Sequence, residues 1–475
     1  MNEELHWLPA TEIAARIGRG TLSAVDYTQA VLDRIDMLQP RLNCFATVAR
    51  EQALAVACQA DAAVRRGEPV GPLHGVAVHV KDLFDTEGIR TAHGSAIYAD
   101  NVPTRDNVLV QRLKAAGAIV IGKTTTPEFG HKGFTDSPLF GITRNPWNPD
   151  FTTGGSSGGA AGAVASGQGP LGLGTDGAGS VRIPASACGV VGHKPTLGLV
   201  PFEQTSDSFA NYAYAGPLAR TVADAALLTR VLAGPSDGDP WTLQHLPLQI
   251  DTAWHETRLN GLRVGHIARM ANLAVDPDVA AATERMAALL REQGAAVEDC
   301  DDNIDWIEPA GRVMYMGGQA ASYGSFEAEW GDKMDPSIRR FIAEGRKHTL
   351  IEYRHAQFAR TRLYRAVQQL FTRYDVLLTP TLPIAGLPAA FNVGEDTITI
   401  DGQATQSTRI GWSACVYPFN LTGHPALTVP SGFDRRGLPT GVQLVGRWWA
   451  DNGLFRVGSV LERLAPWAQH RPPVA

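Results

Sequence analysis

Apolar and polar positions along the chain alternate in two periods, one of short strands and one of amphipathic helices. Ser23 is followed three positions later by Asp26, an approximate capping box, and Val31, Ile35 and Leu38 then repeat on one face. That spacing predicts a helix in the first forty residues. GVAVHV (75–80) is a β-branched run between Gly- and Pro-rich flanks and predicts a strand ending at Lys81. Asp106 is placed to cap a helix through Leu109, Leu113 and Ala116, with Gly117 as its stop, and AIVIG (118–122) reads as the next strand. A helix over 158–167 and an apolar run at 171–174 follow. Strand-like runs return at LRVGHI (262–267), DVLLTP (375–380), PALTVP (425–430) and TGVQLVG (440–446), before a closing helix through Leu454, Val457 and Leu461.

This strand–helix–strand alternation predicts an α/β fold, a large mixed, mostly parallel central sheet covered by helices on both faces. No repeat of roughly 20–50 residues interrupts it. The expectation is a single domain over 1–475, with N-terminal helices within 8–40 packed on it and a surface excursion at 234–260, from GPSDGDP onward.

Composition narrows the class. With 44% hydrophobic and 19% charged residues in a 475-residue chain, a sizeable core can be buried and global disorder is excluded. The net charge of −6 and the lack of a Lys/Arg-rich run argue against a nucleic-acid partner. No apolar run approaches the roughly 18 residues of a membrane span. The acidic start, MNEELHWLPATEIAARIGRG, does not read as a secretory leader. Five scattered cysteines (Cys44, Cys58, Cys188, Cys300, Cys415), never spaced as CxxC, fit a reduced, cytoplasmic protein better than a disulfide scaffold or a zinc site.

One stretch stands apart: TTGGSSGGAAG, residues 152–162. A phosphate loop needs Lys and Ser/Thr after its last glycine, and here Ala160-Ala161 follow. The nearby GxGxxG at Gly172, Gly174 and Gly177 lacks the helix and downstream acid of a dinucleotide site, since Pro184 interrupts and the next acid is Glu203. A hydrolase elbow, GxSxG, is satisfied by Ser156 or by Ser157, with His193 and His245 downstream. The preceding NPDFTT makes a poor strand, so this esterase-like reading stands as the alternative.

Further along runs GLGTDGAGSVRIPASACGVVGHKPT (172–196), after LHGVAVHVKD (73–82), IGKTTTPEF (121–129) and SPLFGITRNPWN (137–148). GPLARTVADAA (216–226), PFNLTGHPALTVPSGF (418–433) and GLPTGVQLVG (437–446) follow in order. Together these resemble the amidase signature family over nearly the whole chain. The resemblance implies that fold and an amide-hydrolysing Ser–Ser–Lys triad. Ser180 would be the nucleophile, Ser156 a bridging serine in a cis Gly155–Ser156 peptide, and Lys81 the base. It further implies an oxyanion hole from the N–H groups of Gly177, Ala178, Gly179 and Ser180. Ala178 stands where the family usually has glycine, which is compatible with the hole only if its φ is negative.

The chemistry agrees with that assignment. A serine hydroxyl is a weak nucleophile until a base takes its proton, and a lysine is a base only when neutral, which burial favours. Lys123 and Lys194 are the rival lysines, but neither has the strand-end Lys-Asp setting. Asp176 and Arg182 read as a supporting ion pair, and Ser157 and Thr175 as residues that orient the loops. The resemblance places Phe129, Gly130 and His131 on the acyl side of the site, near Phe134. Tyr315, Tyr323, Phe326 and Trp330 are candidates for the leaving-group side, which points to an apolar or aryl amide, anilide or carbamate. The expected partner is a small-molecule amide, with no metal or organic cofactor; a homodimer is the default assembly. The Tyr-Asp-Gly-x-Arg-Tyr-Gly block of the tRNA amidotransferase family members is missing, and the comparable stretch reads VMYMGGQAASYGSF (313–326). A freestanding enzyme is therefore expected. A catalytically inactive binding subunit on the same scaffold is the remaining alternative, against which all three triad positions are occupied.

Overall fold

The computed structural model describes residues 4–243, 249–255, 258–270, 274–300 and 304–474, with the backbone alone at 409 and 410. Ser23 caps the helix its spacing predicts: its side chain accepts the Asp26 N–H, and α2 (Ala24–Leu42) follows α1 (Ala10–Gly18). Tyr27, Val31, Ile35 and Leu38 form the buried face of α2.

Eleven strands make one sheet. In chain order they are β1 (Phe45–Val48), β2 (Ala77–Lys81), β3 (Ile119–Thr124), β4 (Leu171–Asp176), β5 (Val191–Lys194) and β6 (Tyr214–Ala219). β7 (Arg263–His266), β8 (Ala296–Asp299), β9 (Val376–Pro380), β10 (Ala426–Phe433) and β11 (Pro439–Gly446) complete the set. Across the sheet the order is β1-β3-β2-β4-β6-β5-β10-β11-β9-β7-β8. The sheet is mixed, as expected, but not mostly parallel: β2–β3, β2–β4, β7–β9 and β7–β8 run parallel, and the other neighbours are antiparallel. Two features cause the difference. β6 inserts between β4 and β5 against both, and β10 and β11 are joined by a tight turn, which enforces antiparallel pairing. In that turn the Gly437 N–H donates to the Asp434 carbonyl at 2.9 Å, with Gly437 at φ +76°.

The β2–β3 ladder carries a bulge. Val78 pairs with Val120 but His79 with Gly122, so Ile121 is left over on β3.

A helix also spans Arg50–Arg65, and among those that follow are α3 (Gly158–Ala165), α4 (Arg182–Cys188), α5 (Val222–Leu232), α6 (Pro277–Glu292), α7 (Glu308–Tyr323), α8 (Pro336–Gly345), α9 (Leu350–Arg373) and α10 (Asp451–Leu464), with shorter helices and turns between them. Side chains of β9 show that both faces are covered. Val376 and Leu378 join the large core built on α2, α5 and α10, while Leu377 joins a second core with Met314 of α7 and Leu363 and Val367 of α9.

The helix expected after Asp106 runs Val108–Ala115, and its cap is Asn107, whose side chain accepts the Leu109 N–H. Asp106 turns away to accept the Glu87 N–H and the Lys114 ammonium. Between Leu232 and Arg263 the described residues form no helix or strand; 244–248 and 256–257, within the expected surface excursion, lie outside the described residues. No described helix is long and apolar enough to cross a membrane.

Candidate active site

Parallel pairing of β2 with β4, Val80 opposite Leu173, brings Lys81 and Thr175 to the same edge of the sheet. Lys81 is fully buried. Its Nζ lies 2.7 Å from Ser156 Oγ, 3.0 Å from Ser157 Oγ and 2.8 Å from Thr175 Oγ1. The two serines lead into α3, and the Gly155–Ser156 peptide is cis. Every residue of 152–162 is buried, so the glycines here serve close packing. A Cβ on Gly158 would sit 2.2 Å from Thr153 Oγ1, and one on Gly159 2.4 Å from Thr125 Oγ1.

Burial drives the Lys81 amine well below the ordinary lysine range, with the Asp176 charge the opposing influence. That charge is itself well matched. Burial works to raise the Asp176 carboxyl, but the Arg182 guanidinium and the Asn420 amide hold it well below the usual carboxylate range. The pair is fully buried and bidentate, with Arg182 Nε and Nη2 each 2.9 Å from a carboxylate oxygen. Arg182 also donates to the Val416 carbonyl, Gln443 Oε1 and Asn420 Oδ1, which uses all five of its N–H groups.

The same carboxylate shapes the 176–182 loop by accepting the N–H of Gly179 at 2.7 Å and of Val181 at 3.2 Å. Gly179 N–H therefore points at Asp176, whereas the N–H groups of Gly177, Ala178 and Ser180 have no acceptor among the described residues. Ala178 is not among the described residues of positive φ; Gly179, at φ +104°, is the position that needs glycine. A Cβ at Gly179 would also lie 2.3 Å from Val416 Cγ2, while one at Gly177 meets only Ala213 Cβ at 3.9 Å. Gly179→Ala is expected to destabilise the protein by at least about 1–3 kcal/mol and Gly177→Ala to leave the thermal midpoint near wild type. Equal midpoints in the two variants would contradict this account of the loop.

Ser180 is 8% exposed and stands where two cavities meet. The smaller, about 400 Å³, is walled by Phe134, Ile183, Phe341, Ile398 and Trp412, with Glu308 and Arg312 of α7. The larger, about 1000 Å³, is walled by Tyr98, Phe129, Tyr323, Phe326 and Tyr353, and reaches Ser156 and Thr175. Gly130, Gly177, Ser180 and Tyr315 border both. A Cβ on Gly130 would stand 3.2 Å from Ser156 Oγ, so this glycine keeps the space beside the serine clear.

The segment 129–131 is thus divided between the chambers. Phe129 stacks on Tyr323 at 4.2 Å in the larger one. His131 borders the smaller one, but its Nδ1 meets the Glu128 carbonyl and its Nε2 the Ser337 hydroxyl at 2.6 Å, so its ring is a strut to α8. Of the four aromatics expected on the leaving-group side, Tyr315, Tyr323 and Phe326 line the larger chamber, whereas Trp330 does not border it and packs with Tyr323 and Phe326 on Met334 and Ile338.

The rival readings are separated in space. Lys123 donates to the Phe84 carbonyl and Thr86 Oγ1, and Lys194 donates to the Pro195 carbonyl over the Tyr214 ring. His193 faces Thr229 and Asp451, away from both serines of the elbow motif; His245 lies outside the described residues. Gly172 and Gly174 lie within β4, where a Cβ would strike His79 and Ser157. Among the described residues no three His, Cys, Asp or Glu side chains are grouped to hold a metal. Sequence reasoning missed Asn420, Gln443, Glu308, Phe341 and Trp412. Asn420 falls in PFNLTGHPALTVPSGF and Gln443 in GLPTGVQLVG, two segments of the resemblance that assign no role to these side chains, and the others carry no local motif.

With this geometry in view, the comparisons are decisive for the family. The family model described as Amidase matches residues 26–455. The chain belongs to the amidase signature family, and it is an amide-hydrolysing enzyme by class. It is 36% identical to an acylamidase of Rhodococcus erythropolis over 99% of this chain and 98% of the relative. It is also 36% identical to a glutamyl-tRNA(Gln) amidotransferase chain of Chloroflexus aggregans, over 99% of each. The crystal structure of a bacterial aryl acylamidase of the same family superposes with a TM-score of 0.91 at 30% identity, covering 98% of both chains.

Proposed function

We propose that the protein hydrolyses acyl amides through an acyl-enzyme on Ser180, with Ser156 and Lys81 as proton relay and base. One observation carries the reading: a fully buried lysine amine, lowered in basicity, held 2.7 Å from a serine that borders the same cavity as Ser180. Ser157 donates its hydroxyl proton to the Thr175 carbonyl at 3.1 Å, so it can only accept from Lys81. With Thr175 Oγ1 taking the second N–H, the lone pair of the neutral amine faces the Ser156 hydroxyl.

Ser180 Oγ then attacks the carbonyl carbon as its proton passes through Ser156 to Lys81. The oxyanion is met by the free N–H groups of Gly177, Ala178 and Ser180, while Gly179 serves through its conformation. Collapse expels the amine, which takes the proton back along the relay, and water releases the acyl group by the reverse route. Similarity to an acylamidase and to an aryl acylamidase supports an apolar or aryl amide, anilide or carbamate substrate. A freestanding enzyme is favoured over an amidotransferase component by the stretch 313–326, which lacks the Tyr-Asp-Gly-x-Arg-Tyr-Gly block.

A fluorophosphonate label, mapped by mass spectrometry, is expected on Ser180 and absent from Ser180→Ala. An adduct on Ser156 or Ser157 would support the elbow reading instead. No adduct together with no turnover would indicate an inactive binding protein.

A further inference from the structure

Glu308 opens α7 and lines the smaller chamber together with Ser180. It is 8% exposed, yet its Oε1 has no hydrogen-bond partner among the described residues. Its Oε2 has only a 3.8 Å approach from Arg312, a side chain that is 47% exposed at the mouth. The other charges bordering this chamber are engaged: Lys132 with Asp136 and Asp335, Glu395 with Arg340, and Asp396 with the Asn392 N–H. A buried carboxylate with no close donor is costly, and the chamber that Glu308 lines is the side from which a cation can approach it.

The relay fixes which part of a substrate enters this chamber. The departing amine must be protonated through Ser156, and Ser156 borders the larger chamber, not the smaller. The amine portion therefore lies among Phe129, Tyr323 and Phe326, and the acyl portion lies in the smaller chamber, along Phe134, Phe341 and Trp412. We propose that Glu308 is a specificity residue that accepts from an ammonium group at the tip of the substrate's acyl chain, so that amino-tipped acyl amides are preferred over neutral ones. The chamber suits that chemistry: apolar walls carry the chain and aromatic faces tolerate a cation. The inference rests on the amidase reading above and refines its acyl side; it also moves Phe129, which the resemblance sets on the acyl side, to the amine side.

The test uses paired p-nitroanilides with acyl chains of equal length, one ending in a methyl group and the other in an ammonium group. The readout is the ratio of kcat/KM for the amino-tipped over the methyl-tipped substrate. Wild type is expected to favour the amino-tipped member, and Glu308→Gln to lower the ratio by about ten- to a hundredfold, mainly through KM. Glu308→Asp, which keeps the charge, should retain part of the preference, and melting midpoints confirm that each variant is folded. A ratio unchanged in Glu308→Gln, or a wild type that prefers the methyl-tipped member, overturns the assignment while leaving the amidase reading intact. Failure to hydrolyse either anilide, with no label on Ser180, overturns the amidase reading and this inference with it.

Discussion

Lys81→Ala is expected to turn over amides at least about 10⁴-fold more slowly than wild type while remaining folded. The lysine places no carboxylate contact in the core, and its three partners are hydroxyls that a single trapped water can serve. Lys81→Met, which keeps the volume of the side chain, guards against a trivial packing defect and should be equally inactive. The pH dependence gives a second readout. The base is the deprotonated amine, so kcat/KM should rise with pH as Lys81 loses its proton. Because burial lowers this group well below an ordinary lysine, the rise should be centred below 10.5. Turnover within tenfold of wild type in either variant, or a rise centred at or above 10.5, defeats the relay.

Arg182→Met should cost about 3–5 kcal/mol of stability, because it leaves the Asp176 carboxylate buried without its cation. The effect reaches the site as well. Asp176 holds the N–H groups of Gly179 and Val181, and the loop between Gly177 and Ser180 is hung from them. Urea titration of the variant should show a lower midpoint at an unchanged slope. A loss below about 1 kcal/mol would mean that Asp176 finds other partners, and that the pair is not what organises the loop.

Much of this is legible in the chain and some is not, for physical reasons. Ser23, GVAVHV and the runs at 375–380 and 440–446 announce their elements because caps and apolar periodicity act locally. Lys81, Ser156 and Ser180 are legible through resemblance, with chemistry able to say why each residue type belongs there. The antiparallel share of the sheet is hidden, since the insertion of β6 between β4 and β5 is a long-range choice that leaves no mark on either strand. Arg182 reads as a partner of Asp176 from the sequence, but Asn420 and Gln443 reach it from more than two hundred residues away. Asp106 looks like a cap and is displaced by its neighbour Asn107, a one-residue ambiguity typical of helix starts.

The bulge at Ile121 has a bearing on how this protein can change over evolutionary time. Successive strand residues face opposite sides, and here Lys81 meets the serines while Asp82 accepts the N–H groups of Ala92 and Gly94 on the other side. A slip of one position would exchange a base for an acid. Downstream of the bulge β3 holds β2 in its phase, and a Cβ at Gly122 would lie 2.2 Å from the Thr47 carbonyl oxygen of β1, so the three strands are locked together. Insertions and deletions should therefore be nearly absent between positions 77 and 82 and between 119 and 124.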